Sequence, residues 1–158
     1  MIVFSNTTPI IALSSIQKLE LMPQLLGEIY VVTEVIDECA AGGSIYVPNL
    51  YQLDWIRSVQ STPIQHSSVL LELDKGEKHT LDMACKHQAD WVIIDERIGR
   101  NMAEYLGLRV TGTLGILVKA KQQGLIASFT DCVKAMQVQG IYFQTALISK
   151  LAQTVGEG

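Results

Sequence analysis

The chain has 158 residues, 48% of them hydrophobic, and a formal net charge of −4 at pH 7. Its mean hydropathy of +0.24 excludes a disordered chain and predicts one domain spanning residues 1–158. The hydrophobic periodicity of the sequence defines the helices beyond about residue 126 less sharply. The acidic balance gives no electrostatic case for nucleic-acid binding by itself, although it suits clustered carboxylates offset by a metal ion.

The sequence shows no recognisable signal for export or for membrane insertion. No apolar run approaches the ~20 residues that cross a bilayer, and the first residues lack the basic segment of a secretory signal. Cys39, Cys85 and Cys132 are widely spaced, which predicts buried free thiols in a reducing compartment. We therefore expect a cytoplasmic protein.

Short apolar strands alternate with amphipathic helices along the chain. The pattern predicts strands at 2–5, 29–32, 55–59, 91–94 and 109–110, with helices at 7–16, 19–26, 34–41, 73–87, 98–106, 113–123, 128–137 and 144–153. Thr7, Thr33 and Asp74 are predicted helix caps. This alternation predicts an α/β protein, a three-layer α/β/α sandwich with a mostly parallel central sheet.

Two acids follow the strand that the pattern places at the centre of this sheet. Four apolar residues, Trp91 to Ile94, predict a strand buried on both faces, and Asp95 and Glu96 come directly after it. In open α/β sheets, ligands bind at the carboxyl ends of the strands. The two acids are therefore candidates for a ligand site.

Glu77 lies within the apolar stripe of its predicted helix. At 100° per residue it shares a side with Leu73, Leu81 and Ala84. A buried carboxylate without a partner costs several kcal/mol or stays protonated, so a cation, an arginine or a metal is expected beside it. The alternative is that Glu77, following the cap Asp74, is an acid of the first turn stabilised by the helix dipole.

Two further polar residues give weaker signals. Glu38 lies at the border of the apolar side that Val35 and Ile36 define, where the pattern alone favours an ordinary surface acid. Asn6 follows the first strand as Asp95 follows a later one, so the two would meet at one sheet edge. Asn6 would equally serve as a turn residue or as a cap of the first helix.

Five segments together carry a resemblance to a known family. They resemble segments of PIN-domain proteins related to VapC-type ribonuclease toxins, in a branch often described only as predicted nucleic-acid-binding proteins. The segments occur in the family's order and span the chain up to about residue 125: SNTTPIIAL (5–13), VIDE (35–38), LDKGE (73–77), IDERIGR (94–100) and GLRVTGTLG (107–115).

The resemblance implies a groove in which acids from strand ends and helices bind Mg²⁺ or Mn²⁺ and activate water to cut a phosphodiester. Carried over by position, the catalytic residues are Glu38, Glu77 and Asp95. The metal ligands are these three together with Asn6, and Glu96 supplements Asp95. Typical members have aspartate where this chain has Asn6, so a weaker metal site is expected here.

Basic residues near these acids would bring RNA to the site. Arg97 and Arg100 are predicted to hold phosphate oxygens at the rim of the groove, and surface ion pairing is their alternative role. Arg109, Lys119 and Lys121 are further candidates for local basic patches.

Two main functions are compatible with this pattern. The first is a metal-dependent ribonuclease of toxin–antitoxin type that acts on RNA and pairs with a cognate antitoxin protein. The second is a catalytically impaired PIN-like module that binds RNA or a partner protein. Another Mg²⁺-dependent phosphoesterase on an α/β scaffold is less favoured, because the chain has no second acid-rich motif such as DxD. The resemblance also implies a homodimer.

Overall fold

The computed structural model describes residues 1–65, 68 and 70–158. It contains a five-stranded sheet in the order β3-β2-β1-β4-β5, and every strand pair is parallel. The parallel sheet predicted from the sequence is confirmed. The strands are β1 (Val3–Ser5), β2 (Ile29–Val32), β3 (Ile56–Val59), β4 (Trp91–Ile93) and β5 (Arg109–Thr111).

The strand that was predicted to be central lies one place from the centre. β1 occupies the middle position and β4 lies between β1 and β5. Val3, Phe4, Val92 and Ile93 are fully buried, as expected for interior strands that are covered on both faces. The apolar run at 91–94 therefore indicated an interior strand correctly but did not fix its position.

Helices cover both faces of the sheet, which confirms the predicted α/β/α sandwich. A short 3₁₀ turn spans Leu50–Gln52. The helices are α1 (Thr7–Ser15), α2 (Leu21–Leu26), α3 (Thr33–Ala40), α4 (Lys75–Lys86), α5 (Arg97–Tyr105), α6 (Thr113–Gln122), α7 (Phe129–Val138) and α8 (Thr145–Thr154). In the described ranges, no helix has the length and apolar character that crossing a membrane requires.

Two predicted helix caps are wrong and one is confirmed. Thr7 and Thr33 are the first helical residues, and Asn6 and Val32 occupy the N-cap positions without a side-chain cap bond. Both differences arise because the strand runs almost directly into the helix. Asp74 does cap α4, since its carboxylate accepts a hydrogen bond from the Glu77 amide at 2.9 Å.

Four helices begin close to the carboxyl ends of four strands. α1 follows β1, α3 follows β2, α5 follows β4 and α6 follows β5, each within four residues. Their N-termini, which carry partial positive charge, therefore gather at the carboxyl edge of the sheet. This edge is suited to holding acidic groups.

Glu157 ties the segment after α8 to the start of α7. Its carboxylate accepts hydrogen bonds from the Phe129 amide at 2.7 Å, the Thr130 amide at 3.0 Å and the Ser128 hydroxyl at 2.9 Å. The Thr130 amide is the main cause that lowers the pKa of Glu157 to about 2. The C-terminal helical pair is thus held partly by an ionised side chain.

Glu157→Gln is expected to lower the melting temperature by an amount that depends on pH. Because the folded pKa of about 2 lies below the ordinary value of 4.5, the contribution is fully present above pH 4.5 and is lost as the pH falls towards 2. Thermal unfolding of both proteins across this range measures the difference. The exposed Glu20→Gln is the control, and a difference that stays constant with pH would contradict the account.

Candidate active site

Asn6 is fixed at the carboxyl edge by the register of β1 and β4. Its amide donates to the Ile93 carbonyl at 2.9 Å, and the residue is 4% exposed. Asn6 occupies the N-cap position of α1, as the cap alternative predicted, but its side chain forms no cap bond. The Oδ1 atom is buried and has no hydrogen-bond partner among the described residues. A buried acceptor left without a donor costs about 1–3 kcal/mol, so Asn6 presents an oxygen that a ligand would satisfy.

Glu38 lies where α1, α3 and α4 meet. The Thr7 hydroxyl donates to Glu38 Oε2 at 2.8 Å. The Glu38 carboxylate also lies so close to the backbone of Gly76 that a Cβ there would collide with it. The glycine therefore allows the start of α4, which carries Glu77, to approach Glu38.

Glu77 faces inward, as its place in the apolar stripe predicted. It is 7% exposed and forms no ion pair among the described residues. Burial, together with the negative charges of Asp74 and Glu96, raises its pKa to about 7. Glu77 does lie in the first turn of α4, as the helix-dipole alternative predicted, but the hydrogen bond from the Asp74 backbone does not restore the ordinary pKa.

Asp95 and Glu96 each bind the start of a helix, a role that the sequence did not reveal. Asp95 accepts hydrogen bonds from the Thr113 amide at 2.7 Å and the Thr113 hydroxyl at 2.6 Å. Glu96 caps α5 by accepting from the Ile98 and Gly99 amides at 2.9 and 2.7 Å. Carboxylate oxygens have further lone pairs, so these bonds leave room for a cation.

Asp95 is subject to opposing electrostatic influences. Burial raises its pKa, whereas the hydrogen bonds from Thr113 and the charge of Arg100 act in the opposite direction. The balance remains above the ordinary value. The half-buried Asp95 carboxyl would therefore also be stabilised by an added positive charge.

The predicted oxygen ligands share one edge of the sheet, but they are not assembled into a closed cluster. In the ranges that the structure describes, no three His, Cys, Asp or Glu side chains are spaced to hold a metal ion. Asp74 belongs to the same electrostatic environment, since its charge acts on Glu77. The sequence indicated Asp74 only as a cap, although its position three residues before Glu77 was the available signal.

The predicted basic residues are distributed over more than one part of the molecule. Arg100 Nη1 donates to the Ile94 carbonyl at 3.0 Å, beside Asp95, whereas Arg97 is exposed at the start of α5. Neither is in an ion pair among the described residues, as their alternative role would require. Arg109 begins β5, at the opposite end of the sheet. Lys121 binds the Ala127 carbonyl at 2.7 Å.

The fold and this acidic edge define a nuclease-like α/β protein. The chain belongs to the PIN-domain family, because a family model described as a PIN domain matches residues 2–157. Comparison with curated proteins and with solved structures gave no match. PIN domains form a nuclease-type family and generally use divalent metal ions. The match extends beyond the segments, up to about residue 125, on which the sequence resemblance rested.

Glu77→Gln is expected to stabilise the protein at high pH. Because the pKa of about 7 in the folded protein exceeds the ordinary value of 4.5, ionised Glu77 destabilises the fold increasingly between pH 4.5 and 7 and fully above pH 7. Thermal unfolding without divalent metal should show a gain of roughly 3 °C at about pH 8 and almost none at about pH 4. The exposed Asp37→Asn on α3 should show no such pH dependence. A lower melting temperature for Glu77→Gln at high pH would refute the account.

Proposed function

We propose that this PIN-domain protein is a divalent-metal-dependent endoribonuclease of toxin–antitoxin type. Two observations at one edge of the sheet support this proposal. Asn6 Oδ1 has no hydrogen-bond partner among the described residues, and the buried Glu77 carboxyl forms no ion pair with them. A cation would stabilise both a buried oxygen without a hydrogen-bond donor and a carboxyl whose pKa is raised by burial and by neighbouring acids. A single divalent ion bound beside both groups would provide this stabilisation.

The chemistry of the donor set fits Mg²⁺ or Mn²⁺. Both ions prefer oxygen ligands, and Mg²⁺ keeps several waters, so a few protein oxygens suffice. The proposed ligands are Asn6, Glu38, Glu77, Asp95 and Glu96. Asn6 supplies an oxygen without charge, so we expect weaker metal affinity than an aspartate there would give.

The side chains have separate roles in the proposed reaction. When bound, the ion stabilises charge on a phosphoryl oxygen and lowers the pKa of a coordinated water. Glu38, Glu77 and Asp95 are the proposed catalytic carboxylates, and the Thr7 hydroxyl orients Glu38. Thr113 orients Asp95. Arg97 and Arg100 would bind phosphate oxygens of the RNA.

Protein partners are part of the same proposal. Family membership supports a homodimer and a cognate antitoxin in the cytoplasm. The end of α7 and the segment after it expose apolar side chains, with Val138 and Tyr142 each 83% exposed. In this proposal the two side chains contribute to a protein contact.

Asn6 favours a second function, that of an impaired PIN module that binds RNA or a protein partner without cutting RNA. The neutral amide removes one negative charge from the proposed metal site. If metal affinity falls below what catalysis needs, the fold and the binding surfaces would still persist. Metal binding therefore separates the two functions.

RNA cleavage by the purified protein is expected only with Mg²⁺ or Mn²⁺ present. Glu77→Gln and Asp95→Ala should lower the cleavage rate by at least about 100-fold, because each removes a carboxylate from the reaction site. Gel analysis of a broad panel of RNAs measures this, with Asp37→Asn as the matched control. No cleavage of any RNA with either ion would contradict the nuclease proposal and leave the binding module.

The metal affinity of the native chain is expected to rise when Asn6 is replaced by aspartate. Calorimetric titration with Mn²⁺ should show about tenfold tighter binding by Asn6→Asp, because a charge–charge interaction is added at a buried site. Asn6→Ala should bind more weakly than the native chain. Asn101→Asp, at an exposed position of α5, is the control for added charge. Equal affinities in all four proteins would contradict the assignment of Asn6 as a ligand.

A further inference from the structure

A cleft of about 500 Å³ is lined by residues of α5, of β5 and of the turn between them, together with Trp91 of β4. Its charged lining residues are Arg100, Glu104 and Arg109. β5 is an edge strand of the sheet. The cleft therefore carries two arginines and one glutamate in a protein whose net charge is −4, which makes it a local basic exception.

An arginine–tryptophan pair lies at the far end of this cleft. The Arg109 guanidinium lies over the Trp91 ring, 5.4 Å from its centroid. These residues are register partners at the amino ends of β5 and β4. Arg109 is exposed and Trp91 is half-buried, so the ring supports the guanidinium from the protein side. A guanidinium held in this way offers a planar face on which a nucleic-acid base stacks.

Arg100 connects the cleft with the candidate active site. It lines the cleft, and its Nη1 atom donates to the Ile94 carbonyl beside Asp95. The three residues of β5 span about 10 Å at the usual rise of a strand. The distance between the active-site edge and the Arg109–Trp91 pair is therefore of a size that a short stretch of extended nucleic acid would span.

We propose that the cleft binds single-stranded RNA flanking the scission site, with a phosphate at Arg100 and a base stacked on Arg109. This inference rests on the proposed ribonuclease function and adds the path of the substrate. A single strand fits the chemistry because its bases are free to stack, whereas the bases of a duplex are not. The overall negative charge makes binding depend on this local pair of cations.

RNA binding, measured under conditions that prevent cleavage, tests the proposed path of the RNA. A fluorescein-labelled oligouridine RNA of about 12 nucleotides is titrated in EDTA, and its anisotropy reports the affinity. Arg109→Ala is expected to weaken binding about tenfold, which is the effect of losing one stacked base. Arg57→Ala is the matched control, since it removes an exposed arginine from β3 at the opposite edge of the sheet. It should change the affinity less than about twofold.

Trp91 provides an independent readout. The chain has two tryptophans, so Trp55→Phe leaves Trp91 as the only indole, and its emission is expected to change on saturation with RNA. Equal losses in Arg109→Ala and Arg57→Ala, unchanged Trp91 emission at saturation, or no RNA binding by the native chain would each overturn the inference. Because EDTA removes divalent metal, binding that depends on Arg109 without any cleavage in Mn²⁺ contradicts only the nuclease proposal. Cleavage that does not depend on Arg109 contradicts only the path.

Discussion

Carboxylates gathered at one edge of a sheet repel each other, and here three of them are stabilised by hydrogen bonds from the starts of helices. Two carboxylates about 4 Å apart repel by roughly 4 kcal/mol at an effective dielectric of 20. Asp95 binds the start of α6, Glu96 binds the start of α5, and Asp74 binds the start of α4. Glu77 lies among these acids and forms no ion pair with the described residues, and burial together with the charges of Asp74 and Glu96 raises its pKa to about 7. The proposed function depends on this excess of negative charge.

The architecture of the edge explains how so many acids come to lie there. Nearly direct strand-to-helix connections place four helix N-termini at the carboxyl ends of the strands. Two glycines then let these elements approach closely: a Cβ at Gly76 would meet the Glu38 carboxylate, and one at Gly112 would meet Asp95 Oδ1 and Arg100. The candidate site is therefore a product of the fold's topology together with small residues at two contacts.

Much of the fold and of the candidate site could be predicted from patterns within single helices and strands. The features that could not be predicted depend on contacts between residues far apart in the sequence. The apolar run before Asp95 indicated an interior strand, and helical periodicity placed Glu77 inside, because both signals are contained within one element. The bonds from Thr113 to Asp95 join residues 18 positions apart, and the orphaned Asn6 oxygen depends on the register of β1 against β4. Neither contact leaves a periodic signal in the sequence, so helix capping by Asp95 and the burial of Asn6 emerged only from the packed structure.

We propose that the divalent ion binds between the end of β1 and the start of α4. Paramagnetic broadening of backbone amide signals by Mn²⁺ is the sharpest test, because it locates the ion without requiring catalysis. The signals of Thr7, Gly76 and Glu77 are expected to broaden at the lowest Mn²⁺ concentrations. Broadening centred on exposed acids elsewhere, such as Glu20 and Glu28, or an absence of selective broadening, would contradict this proposal.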